Sequence, residues 1–80
     1  MTKKLDNKKV PESRRFVLIR KKDINGISGT GIVAEGIQFA DGEIVMRWFG
    51  DLTSIEIHKN MQMMLKIHGH EGASQVHWID

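Results

Sequence analysis

"IVAEGIQFADGEIVMRWF", Ile32 to Phe49, holds two apolar runs on either side of Ala40-Asp41-Gly42-Glu43. Asp-Gly accepts the positive backbone angles that a tight turn needs, and β-branched and aromatic residues favour a pleated sheet, so the stretch predicts an antiparallel hairpin. Along its second run Ile44, Met46 and Trp48 share one face and Val45, Arg47 and Phe49 the other. The first set is the expected core side. Gly36 interrupts the first run, which signals a bulge or a close approach of another group to the backbone.

Upstream, "RFVLIRKK" (Arg15 to Lys22) reads as a strand, joined to the hairpin through "DINGISGTG", where Asn25-Gly26 marks a turn. Downstream, "SIEIH" (Ser54 to His58) alternates Ile55 and Ile57 against Glu56 and His58. The isoleucines are its expected core side and the polar pair its wet side. The period then changes. Met61, Met64, Leu65 and His68 fall at i, i+3, i+4 and i+7, with Asn60 in N-cap position and Gly69 just past the end, which predicts a helix of about two turns. A last strand, "SQVHWID" (Ser74 to Asp80), alternates Val76 and Trp78 with His77 and Ile79. This order predicts a mainly β fold: a small SH3-like five-stranded barrel with one short helix between strands 4 and 5. A barrel closes its own edges. The alternative is an open α+β roll with the helix across one face.

Eighty residues allow a single core, and 40% hydrophobic with 28% charged residues is ordinary for a globular protein. Without cysteine there is neither a disulfide nor a thiolate nucleophile, so stability must come from packing or from a partner subunit. The longest apolar run near the start, "FVLI", is too short for an export signal or a membrane span, and a cytoplasmic protein with no membrane partner is expected. Residues 1–15 carry six basic side chains against two acidic ones, and the remainder six against eight. Residues 1–14 are accordingly expected to form a flexible basic tail and 15–80 a single small β-domain. Such a tail could touch nucleic acid, or serve only as a solvated leader.

The run "SGTGIVAEGIQFADGEIVMRW", followed by "IHGHEGASQVHWID", resembles a set of short uncharacterised proteins from phages and prokaryotes. They share S-G-T-G-x-V-A-E-G-x-x-F-x-D-G, then R-W, H-G-H-x-G and W-x-D. The resemblance covers roughly residues 15–80 and implies no activity and no catalytic residues. One departure is the helix: the set tends to acidic residues where this chain has "MQMMLK".

The glycines of "GISGTG" (Gly26 to Gly31) do not make a phosphate loop. A Walker-type loop needs a lysine, a Ser or Thr and then a helix, whereas here Ile32 and Val33 lead into a strand. A dinucleotide fingerprint fails on glycine order and lacks a βαβ unit. A shaped connector is the expected role. Four histidines, His58, His68, His70 and His77, fall in the last 23 residues, and His68 with His70 has the closest spacing for a shared metal. His58 and His77 are expected on strand faces opposite the core, and His68 has a plain role at the helix C-terminus. No metal or other cofactor is called for. Carboxylates and hydroxyls are present, but a nucleophile is defined by geometry rather than inventory, and a small barrel leaves little room for an enclosed pocket. The expectation is therefore a non-enzymatic binding protein.

Two binding modes follow. In the first, a protein partner or a second copy meets the helix through Met61, Met63, Met64 and Ile67, which exceed what one core face can absorb. In the second, nucleic acid binds Lys3, Lys4, Lys8, Lys9, Arg14, Arg15, Arg20, Lys21 and Lys22, with Arg47 beside them and Trp48 or Trp78 as a stacking surface. The net acidic folded part weighs against the second, and both tryptophans read more naturally as core.

Overall fold

The computed structural model describes residues 10–21 and 30–80. Five antiparallel strands make one sheet: β1 (Arg14–Arg20), β2 (Gly31–Gln38), β3 (Ile44–Trp48), β4 (Ile55–His58) and β5 (Ser74–Trp78). One helix, α1 (Met61–His68), and a single helical turn at His70–Gly72 lie between β4 and β5. The spatial order is β4-β3-β2-β1-β5. The mainly β class, the strand count and the place of the helix are as the sequence predicts.

Closure is not. β5 hydrogen-bonds along the outer edge of β1, and among the described residues nothing bridges it to β4, so the sheet stays open. In place of barrel closure, α1 covers one face. Its Met64 is fully buried among Phe16, Leu18, Val33, Ala34, Ile44 and Met46, with Trp48, Met61, Leu65, Val76 and Trp78 packed around them. Burial of these side chains is the main stabilising term of the domain.

The β2–β3 connection is a three-residue loop. The Gly42 amide donates to Phe39 O at 2.9 Å, Phe39 N to Glu43 O at 2.8 Å, and Gly42 takes φ 98° as its αL position requires. Two local devices fit β1 to β2. Leu18 opposes Ala34 and Ile19 opposes Ile32, so Val33 is the extra residue of a bulge and turns inward beside Ala34. Gly36, the sequence candidate for a bulge, keeps regular register with Phe16 and Met46. Its role is the close approach, since a Cβ there would run into the Phe16 ring and stand 2.8 Å from Val45 O.

At the helix start, Asn60 Oδ1 accepts from Met63 N at 2.8 Å. At its end, Gly69 N donates to Leu65 O at 2.7 Å while Gly69 itself stays right-handed. The reversal is made by His70 and Glu71, at φ 49° and 54°, followed by Gly72.

Candidate functional site

β3 dictates which way β4 faces. Ile44 and Met46 are buried, and their cross-strand partners are His58 and Glu56. The polar pair of β4 therefore points toward Trp48 and α1, and the isoleucines point away. The sequence expectation is inverted: Ile55 and Ile57 are 66% and 68% exposed. A charged and an imidazole side chain are tolerated on the covered face because each finds partners there.

Those partners form one cluster. Glu56 Oε1 is 2.9 Å from His58 Nε2 and 2.8 Å from His68 Nε2. Its other oxygen, Oε2, accepts from Trp48 Nε1 at 2.9 Å. The two imidazoles stand edge to face at 5.5 Å, and His68 stands the same way against Trp48 at 5.0 Å. Two residues of β4 and the last turn of α1 supply the groups, so the cluster ties the sheet edge to the helix covering it. Burial pushes the Glu56 carboxyl up, but hydrogen bonds from His58 and Trp48, with the charge and hydrogen bond of His68, outweigh this and hold it below the ordinary carboxylate value. The side chains are partly exposed, 33% for Glu56 and 20% for His68, so solvent reaches them. A carboxylate between two imidazoles can share protons or ligate a cation. The donor atoms of Glu56, His58 and His68 all lie within 4.8 Å of one another.

Sequence spacing paired His68 with His70 instead. The left-handed turn after α1 leaves His70 outside the group, and His77 sits exposed on the far face of β5 opposite Val17. Glu56 was the member missed. Its i, i+2 spacing with His58 on a strand was the available signal, masked by the assumption that the isoleucines face the core.

The candidate interaction residues of the helix divide. Met64 is fully buried and Met61, partly buried, packs against the core, so one face of α1 takes up both. Met63 and Ile67 are exposed, four residues apart on the outer side.

The candidate nucleic-acid cations disperse as well. Arg20 is only 2% exposed, because β1 turns it to the covered face, where its Nε donates to Ser74 Oγ at 2.9 Å and its guanidinium lies 5.7 Å from the Trp48 ring centroid. It is no surface contact. Arg15 forms a two-pronged pair with Asp80, Arg14 lies 3.9 Å over the Trp78 ring, and Arg47 meets Glu35 at 3.6 Å. Lys21 is exposed. Lys3, Lys4, Lys8, Lys9, Lys22 and most of "GISGTG" lie outside the described residues. Both tryptophans are half-buried against the core, Trp78 edge-on to Phe16 at 5.6 Å. No helix among the described residues is long and apolar enough to cross a membrane.

The second region of interest is the other side of the sheet, which no element covers among the described residues. Ile37, Val45 and Ile57 line up there across β2, β3 and β4, beside a second row of Glu35, Arg47 and Ile55. Among the described residues β4 pairs only with β3, so its outer backbone edge is unpaired there as well.

Comparison of the chain with curated proteins and with solved structures yields no match. A family model does match: residues 13–80, which include all five strands and the helix, fit the one described as Acb5 phage protein, and the chain belongs to that family.

Proposed function

We propose that this phage-family protein acts by binding rather than by chemistry of its own, and that it associates with a second copy through the uncovered sheet face. The observation that carries the reading is the aliphatic field of Ile37, Val45, Ile55 and Ile57 around a single ion pair, Glu35 with Arg47. Isoleucine at about two-thirds exposure on an edge strand is what an interface leaves behind when its partner is removed. The charges select the occupant. In a two-fold arrangement centred on this patch, Arg47 of each copy meets Glu35 of the other, and the apolar rows meet each other, so the patch is complementary to itself. The helix contributes no more than Met63 and Ile67 on the opposite side, and the expected methionine surface gives way to this face.

Sedimentation velocity of tag-free protein from low to high micromolar concentration tests the reading. The expected result is a concentration-dependent dimer abolished by Ile57→Asp and weakened by Arg47→Glu, with partial recovery in Arg47→Glu/Glu35→Arg. A monomer throughout, or a dimer indifferent to Ile57→Asp but broken by Met63→Asp, overturns it.

A further inference from the structure

We propose that Glu56, His58 and His68 form a binding site for one divalent cation of the zinc class. Two imidazole nitrogens and one carboxylate oxygen are a donor set suited to zinc and its first-row neighbours. Here they come from two elements that the fold already holds together: β4 gives two of them on one side of the strand, and α1 gives the third from its last turn.

The hydrogen bonds occupy the donor atoms that an ion would take. Two Nε2 atoms approach one carboxylate oxygen at 2.9 and 2.8 Å. Tetrahedral ligands at about 2.0–2.1 Å from zinc stand about 3.3 Å apart, so each nitrogen–oxygen edge opens by about half an ångström and the two nitrogens, within 4.8 Å of each other, settle at the same spacing as an ion takes the place of the hydrogen bonds. Each ligating imidazole then carries its proton on Nδ1. The carboxylate is held in orientation by Trp48 Nε1 on its other oxygen, the outer support that ligand carboxylates require. Partial exposure gives the ion a way in and leaves its fourth position to water. Bound there, it fastens the edge strand to the helix.

The cation site and the bare face lie on opposite sides of the sheet, so this inference and the proposed function can fail separately. The test uses tag-free, chelator-treated full-length protein titrated with Zn²⁺ alone. Calorimetry is expected to give one ion per chain, with a rise in melting temperature reversed by chelator and a change in tryptophan fluorescence from Trp48. His58→Ala and His68→Ala should each weaken binding at least about tenfold, whereas His77→Ala leaves it unchanged. Should the two ligand variants fail to fold by circular dichroism, imidazole proton resonances of the unmodified protein decide: Zn²⁺ should move those of His58 and His68 and spare His77. Binding well below one ion per chain, binding that survives both ligand variants when they fold, or shifts confined to His70 and His77 overturn the inference.

Discussion

The two sides of this sheet are built from the same kinds of residue and end in opposite environments. On one, Phe16, Leu18, Ile44 and Met46 are sealed under α1 by Met64, and of the polar groups that share the space Glu56 and His58 are hydrogen-bonded, while Arg20 bonds Ser74 through Nε and buries Nη2 without a partner among the described residues. On the other, Ile37, Val45, Ile55 and Ile57 stand around a half-exposed ion pair with nothing over them among the described residues. An open sheet of five strands has two faces and the described residues hold one short helix, so one face is covered among them. What separates an isoleucine from a core residue here is therefore its register position, not its hydrophobicity.

Substitutions sharpen this contrast. The largest effect is expected at Phe16, fully buried and stacked edge-on with Trp78: Phe16→Ala should cost about 3–5 kcal/mol in urea unfolding. Ile57→Thr on the bare face should stay within about 0.5 kcal/mol under monomeric conditions. Equal losses at the two positions would break the distinction between the faces. Gly36→Ala is next, at about 1–3 kcal/mol, because the new methyl group collides with the Phe16 ring. Combining it with Phe16→Leu should cost less than the sum of the two, and strict additivity would refute the contact as the cause. The cover itself is tested at its cap: Asn60→Ala removes the acceptor for Met63 N and should cost about 1 kcal/mol.

The smallest effect belongs to the Arg15–Asp80 pair, which is exposed and screened. The side-chain and backbone hydrogen bonds from Arg15 hold the Asp80 carboxyl at about 2, against an ordinary 3.8. A depressed carboxyl stabilises the fold fully above its ordinary value and loses that contribution as pH falls toward the folded one. Asp80→Asn should therefore lower the urea midpoint slightly above pH 3.8, with the gap to wild type closing as pH approaches 2. A gap that widens on acidification would show that the pair is not what stabilises this end of β1.

Much of the fold is legible along the chain. The hairpin at Asp41-Gly42, the alternation of Ile44, Met46 and Trp48, and the Asn60 cap ahead of a 3.6-residue period all depend on neighbours a few residues away, and the structure keeps each of them. The candidate site was half legible. His58 and His68 stand out as imidazoles, but the carboxylate that joins them sits on the strand face that the alternation of β4 marks as wet. Gly36 shows the same division: its sequence neighbours indicate that a side chain is unwelcome, while only the Phe16 ring, twenty residues away, gives the reason.

What the sequence alone determined is the set of elements and their periods, because turns, caps and alternation are written into local backbone preferences. Tertiary structure decided the rest: which face of β4 turns inward, whether the sheet closes, and where the imidazoles meet. A period of two marks two faces without ranking them, and the ranking came from β3, whose buried Ile44 and Met46 carried His58 and Glu56 to the covered side and left the isoleucines outside.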